Sequence, residues 1–289
     1  AYAKTIATST GLTLASTGTW FNDRDGTFRS ANAAGSLTYT LTGPGFFVCE
    51  PKVMVADPET DTANLICQIG TEKIDCTAED FTGRIARVIG SGKTIVKFSL
   101  TGVKGGAYAA FTQQADGAPY LWVPLSKVTP TNPMTKAVVL TNQTMLAWNL
   151  PAQLDAEEGF CTRVRFGTTS KPTVVISNDY AKGCAVQIPE SLVSGKTYYW
   201  ALDYAYTPTN IEAEAWTTDL KWISGTTWNF SVLKDGAPIT AVQSGSDAAG
   251  NKIADLLAAG EPVELIQGVK IDLHIGGVGA GPPQEGRRL

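Results

Sequence analysis

The sequence predicts an all-β protein of two β-sandwich domains with a short C-terminal extension. Only 17% of its residues are charged, while Gly, Thr, Val and Trp are frequent. Short β-rich runs recur between turn-forming segments, and helical periodicity is confined to one stretch near the end. At 289 residues the chain is long enough for two domains, each with its own core.

The first predicted domain is a β-sandwich or jelly roll over residues 1–125. Its clearest strand is 35–43, in which apolar and polar side chains alternate cleanly. Further strands are predicted at 93–100 and 120–125, and the latter closes the domain. The Pro- and Thr-rich segment 126–133 that follows is typical of a short, stiff linker.

The second predicted domain, residues 126–233, is a succession of strand-like runs. In chain order they are Leu146-x-Trp148, Val164-x-Phe166-Gly167-Thr168, Leu192-x-x-Gly195-x-Thr197-Tyr198-Tyr199-Trp200 and Trp228-x-Phe230-x-Val232. This order resembles the fibronectin type III-like modules of large secreted bacterial proteins. The resemblance implies an immunoglobulin-like sandwich with Trp148, Trp200 and Trp228 in its core. It implies little about function, because such modules are spacers, adhesins and assembly units alike.

The extension, residues 234–289, contains one predicted helix at 251–260 and one lone strand at 269–275. The apolar face of this strand consists of Val269, Ile271, Leu273 and Ile275. The strand has no hairpin partner nearby in the sequence, so we expect it to add to the open edge of a neighbouring subunit. Such head-to-tail donation builds fibres. The N-terminal stretch 5–14 is an alternative donor.

One predicted disulfide joins Cys67 and Cys76. These residues bracket a hairpin whose tip is expected at Thr71-Glu72, which would place the two sulfurs opposite each other. Cys49 has no obvious partner.

Cys161 and Cys184 are candidates for a second disulfide, although strand parity opposes the simplest version. If Val164 faces the core, then Cys161 faces outwards. Low charge, the all-β pattern and the Ala-Tyr-Ala beginning favour export. We therefore expect a secreted, extracellular or cell-surface protein.

Residues that could carry catalysis are sparse. The single histidine, His274, argues against catalytic triads and HExxH zinc sites. The segment 90–94 matches the end of the phosphate-binding loop motif, but Arg87 stands where that motif requires its first glycine. Asp203, Glu212 and Glu214 could supply paired carboxylates for glycoside hydrolysis, yet nothing in the sequence places two of them across a cleft. An accessory domain pair of a secreted hydrolase would need a catalytic cleft in residues 1–125, for which the sequence gives no sign. We expect a protein that is not an enzyme.

Charge and composition also limit which partners and cofactors we expect. A net charge of −4 without a basic stripe argues against nucleic acid. No apolar run reaches the roughly 20 residues that span a bilayer. Asp23 and Asp25 are calcium candidates, and the acidic loop 57–61 could complete an oxygen cage around the ion, but plain turns are favoured. No other cofactor is expected.

Exposed aromatic residues suggest polysaccharide as an alternative ligand. Trp216 and Trp222 lie in a long insertion, 206–225, near Tyr204 and Tyr206, and flat aromatic faces stack on sugars. Two functions therefore remain open: a self-assembling structural subunit in a homopolymer, and a carbohydrate-binding or adhesion module.

Overall fold

The computed structural model describes residues 13–23, 27–113, 118–157, 159–177, 184–207 and 220–235. They belong to one compact unit, Ala1–Ala237. Within them the chain forms four β-sheets and only two short helices, which confirms the all-β prediction. The predicted helix 251–260 and strand 269–275 lie outside the described residues.

Ten strands form the first pair of sheets. Their bounds are β1 Thr13–Thr17, β2 Trp20–Asn22, β3 Phe28–Ser30, β4 Gly35–Cys49, β5 Pro51–Met54, β6 Thr62–Ile69, β7 Glu72–Asp75, β8 Ile85–Lys104, β9 Tyr108–Phe111 and β10 Leu121–Pro124. One sheet has the order β1-β4-β8-β6-β7, with β10 also paired to β4. The other has the order β2-β3-β9-β5.

The first core lies between these two sheets. The rings of Phe98 on β8 and Phe111 on β9 meet edge to face, with centroids 4.9 Å apart. On β4 the alternate residues Leu37, Tyr39 and Leu41 are all buried, because one face of the strand points into this core. The alternation predicted for residues 35–43 is thereby confirmed.

Eight strands form the second pair of sheets. Their bounds are β11 Thr129–Asn132, β12 Ala137–Val139, β13 Met145–Asn149, β14 Phe160–Gly167, β15 Val174–Val175, β16 Ala185–Gln187, β17 Thr197–Tyr206 and β18 Ile223–Val232. The sheets have the orders β11-β13-β16 and β12-β18-β17-β14-β15. A 3-10 helix, Leu125–Lys127, precedes β11, and the helix α1, Ala152–Asp155, follows β13. The expected linker 126–133 thus includes a paired strand.

Three tryptophans fill the second core. Trp148, Trp200 and Trp228 are all buried, which confirms the packing role expected for them. The ring centroids of Trp200 and Trp228 are 4.7 Å apart, and Trp148 lies 6.2 Å from Trp200. Such tilted aromatic pairs add stability beyond the area that they bury.

The two cores share strands β4 and β8, which are 15 and 20 residues long. A register shift in the ladder between them marks the point beyond which the end of β4 and the paired beginning of β8 serve both cores. Beyond it, Phe47 faces the first core and its neighbour Phe46 faces the second. The ring of Phe46 lies 5.3 Å from that of Phe160 and 5.6 Å from that of Tyr206. The two sandwiches are therefore packed together.

Polar contacts of Arg84 reinforce this junction. Arg84 lies just before β8, and its Nη1 donates a hydrogen bond of 2.9 Å to the hydroxyl oxygen of Tyr206 on β17. Its Nη2 lies 2.5 Å from a carboxylate oxygen of Glu157. One guanidinium thus joins the first sandwich to two segments of the second.

Candidate interaction surface on the five-stranded sheet

The side of the five-stranded sheet that faces away from the core carries a compact charged cluster. On β14, Val164 and Phe166 enter the core, whereas Arg163 and Arg165 alternate with them and point to the other side. On β17, Asp203 occupies that same outer face, directly opposite Arg163 in the ladder. The period of two in these strands therefore gathers the charges on one face.

Asp203 is paired with both arginines although it is only 1% exposed. The Arg163 Nε lies 2.9 Å from Asp203 Oδ2, and an Nη of Arg165 lies 2.7 Å from Oδ1. A buried carboxylate is costly unless charged donors surround it, and here each oxygen has its own guanidinium. Asp203 is thus held by two arginines within the sheet, and its two candidate carboxylate partners, Glu212 and Glu214, lie outside the described residues.

Arg165 also connects three neighbouring segments. Its Nη1 donates to the carbonyl oxygen of Pro172 at 2.7 Å, and its Nη2 donates to the hydroxyl of Ser224 at 3.2 Å. Pro172 leads into β15 and Ser224 belongs to β18. The segment before β15 is therefore held in place by a side chain of the adjacent strand.

The β15 edge, defined here as Val174 and Val175 with their outward-facing backbone, is apolar and open. Val174 is 62% exposed and Val175 38%. Val174 pairs with Phe166 and shares its core-facing side, whereas Val175 pairs with Arg165 on the outer face. Among the described residues, β15 has a neighbour on one side only.

The hydrogen-bond pattern shows which backbone groups of the β15 edge face outwards. The N–H of Ile176 donates to the carbonyl of Val164, and the N–H of Val164 donates to the hydroxyl of Ser177, so the backbone groups of the pair Val164–Ile176 point towards each other. Antiparallel ladders alternate such pairs with pairs whose N–H and C=O point away from each other. The N–H and C=O of Val175 therefore point away from β14, towards the open side.

The aromatic residues proposed as ligand contacts occupy different environments. Tyr204 is 1% exposed and stacks on Phe160 in the second core, so its ring has no free face for a sugar. Tyr206 accepts the hydrogen bond from Arg84 at the junction. Trp222 is half-buried and lies beneath the Arg163 guanidinium, 4.5 Å from it. Trp216 lies outside the described residues.

All five cysteines are free, so the expected Cys67–Cys76 disulfide is not formed. The hairpin turns one residue earlier than predicted, because Gly70 adopts a φ of +58° that suits the start of a tight turn. Cys67 therefore lies opposite Ile74, and the N–H of Cys76 donates to the carbonyl of Leu65. The sulfurs are offset diagonally within the first core.

Cys161 and Cys184 are not bonded either: Cys161 lies on β14 of the five-stranded sheet, and Cys184 lies just before β16 of the three-stranded sheet. Cys161 is on the outer face of β14, as strand parity predicted, and is nevertheless fully buried. Cys184 precedes β16, where its carbonyl accepts the N–H of Trp148. Burial raises the pKa of the Cys161 thiol to about 11, so this thiol is protonated and unreactive at neutral pH.

The calcium candidates have protein partners. Asp23 forms an ion pair of 2.7 Å with Arg29, and Asp25 lies outside the described residues. In the acidic loop, Asp61 accepts N–H groups of Gly106, Asp57 and Ala56, and the bond from Gly106 is the main reason why its pKa is lowered. The described part of the chain contains no group of three or more His, Cys, Asp or Glu side chains placed to hold a metal.

Sequence reasoning missed the β15 edge and the arginine pair. The signal for the edge is the β-branched run 173–176, which follows a polar turn. The signal for the pair is Arg163-x-Arg165 on a strand beside one that carries Asp203, but only the register shows that they meet.

Comparison with known proteins gives no relative for this chain: no protein-family model, no curated protein and no solved structure matches it. None of the helices in the described ranges has the length and hydrophobicity needed to cross a membrane.

Proposed function

We propose that this protein is a secreted, non-enzymatic structural protein whose copies assemble into a filament, sheath or surface layer by β-strand addition. The observation that carries the proposal is the β15 edge. An edge strand with exposed apolar side chains and outward N–H and C=O groups is a template for pairing with another chain. Here Val174 and Val175 present it without a charged residue of their own.

The strand order of the second sandwich supports the module type on which this function rests. Strands β11, β13 and β16 form one sheet, while β14, β17 and β18 form the centre of the other. Immunoglobulin-type sandwiches pair their first, second and fifth strands against the third, sixth and seventh in this way. We infer that residues 126–233 are a fibronectin type III-like module used as an assembly unit.

Negative-stain electron microscopy of the full chain tests the proposal. We expect regular fibres or sheets from the unaltered protein and none from Val174→Lys, because an edge lysine repels an incoming strand. Val193→Lys is the matched control, since Val193 is also exposed, at 47%, but lies outside any strand. It should assemble normally.

A backbone variant separates strand pairing from general surface effects. Val175→Pro removes the outward N–H without removing a bond to β14, and proline is tolerated on an edge. We expect it to remain folded by circular dichroism and to lose assembly. Dispersed monomers from the unaltered protein at all concentrations would refute the proposed function.

Carbohydrate binding is the second candidate, and Trp222 favours it. This half-buried indole lies in the described part of the 206–225 insertion, 4.5 Å from the Arg163 guanidinium. Replacing Trp216 and Trp222 by alanine should abolish binding on a glycan array without changing assembly. If the unaltered protein binds no glycan, this candidate is eliminated.

A further inference from the structure

We infer that the strand that occupies the β15 edge is residues 269–275 of a second copy of this chain. The inference rests on the proposed function and specifies which two segments join. It follows from the two-faced character of the edge, from the alternation of the donor sequence and from the reach of the intervening chain.

The two faces of the β15 edge differ in chemistry. On the core-facing side, the row that starts at buried Phe166 ends at Val174, which is 62% exposed, and none of the described strands lies beyond it. On the outer side, the row that starts at Arg165 ends at Val175. An added strand must therefore be apolar on one face and may be polar or charged on the other.

Residues 269–275 have this pattern. Their apolar row, Val269, Ile271, Leu273 and Ile275, would continue the row of Val174 and cover its exposed side chain. Their polar row includes Asp272, an acidic residue that would lie on the same face as the arginines of β14. The opposite orientation would expose the apolar row to solvent beside Arg165, so the pattern selects one face.

The backbone of the edge offers the complementary groups. The N–H and C=O of Val175 point outwards and form the hydrogen-bonded pair with the incoming strand. Val174 then occupies the adjacent non-hydrogen-bonded pair, in which opposite side chains are closest. Val174 and an apolar residue of the donor should thus be direct neighbours.

The connection between the two segments is long enough for donation to another copy. Residues 236–268 lie between the last described residue and the donor strand. With residues 251–260 in the expected helix and the rest extended, they span at most roughly 90 Å. This is longer than β8, whose 20 residues extend over roughly 66 Å, so the donor can reach a neighbouring molecule.

A pair of variants in the full-length chain tests the orientation of the donor. Ile271→Asp places a carboxylate in the apolar row, where it would be buried without a partner. We expect it to raise the protein concentration needed for assembly by about tenfold or more. Lys270→Gln, one residue away on the polar row and without an introduced negative charge, should leave that concentration nearly unchanged.

Cysteine cross-linking between copies tests the contact directly. Val174→Cys protein is mixed with Leu273→Cys protein under mild oxidation, and a covalent dimer is expected on non-reducing gels only from the mixture. Val193→Cys mixed with Leu273→Cys is the matched control and should give none. A cross-link confined to single chains that carry both substitutions would overturn donation between copies.

The outcomes distinguish the inference from the proposed function. If fibres form and are lost in Val175→Pro but persist in Ile271→Asp, another segment occupies the edge and the inference is wrong, while the proposed function stands. If two β15 edges pair directly with each other, fibres should persist in Ile271→Asp, and the Val174→Cys protein alone should form a covalent dimer. If no assembly occurs at all, both fail.

Discussion

Replacing Phe46 by alanine tests whether the two sandwiches unfold as one unit. Phe46 is fully buried on β4 and packs against Phe160 and Tyr206 of the second sandwich. Truncating a buried phenylalanine to alanine costs about 3–5 kcal/mol of unfolding free energy. For a unit of this size, each kcal/mol lowers Tm by about 2–4 °C, so we expect a decrease of about 6–20 °C.

Thermal unfolding with native-state hydrogen exchange is the assay. If the shared strands couple the cores, Phe46→Ala weakens amide protection by the same free energy in β6, which packs only in the first core, and in β17, which packs in the second. Phe47→Ala is the matched control, because Phe47 is the next residue, is equally buried and faces the first core. It should lower protection in both strands as well.

Two separate unfolding transitions would refute this reasoning. So would a Phe46→Ala protein in which β17 loses protection and β6 does not. Either result would show that the packed junction contributes little to cooperativity.

Other predictions concern charge, backbone and thiols. Asp203→Ala leaves two guanidiniums without their carboxylate, so the free energy of unfolding measured by urea titration should fall by about 3–5 kcal/mol. An unchanged free energy of unfolding would contradict the buried pairing. Gly105→Ala puts a Cβ 1.8 Å from Asp61 Oδ1 at a φ of +60°, so we expect about 1–3 kcal/mol lower stability and faster exchange of the Gly106 amide. Because the pKa of Asp61 is lowered in the folded protein, the stability that its carboxylate contributes is complete above about pH 4 and is lost as the pH falls through the folded-state pKa. In Asp61→Asn, the free energy of unfolding should therefore depend less on pH between about pH 5 and 2. Alkylation without reductant should label all five cysteines after denaturation, but at most half-buried Cys184 in the native protein; fewer labels after denaturation would reveal a disulfide.

Local pattern was sufficient to predict much of the fold. Strand 35–43 and the buried tryptophans were predicted because a period of two and bulky apolar residues report directly on which face is buried. The outward orientation of Cys161 followed from the same rule. Such signals lie within a few residues of each other in the chain, where sequence reasoning is strongest.

Features that depend on register or on distant contacts were not predicted. The turn of the hairpin near Gly70 was predicted one residue too late in the chain, and a shift of one residue changes every cross-strand neighbour. The shared packing of Phe46 joins residues more than 100 positions apart, and nothing near Phe46 in the sequence distinguishes its partner core from that of Phe47. The β15 edge is only two residues long, which is too short to give a recognisable period.

The long strands β4 and β8 also determine how the molecule would carry tension. A pull applied to the second sandwich passes first into the side chains of β4 and β8 that pack in the second core, and from there into the ladder of backbone hydrogen bonds between these two strands. The short connection 126–133 does not bear the load alone. Under force along these strands, many hydrogen bonds must shear at once, so a fibre built from such subunits would resist extension at each subunit rather than lengthening at a hinge.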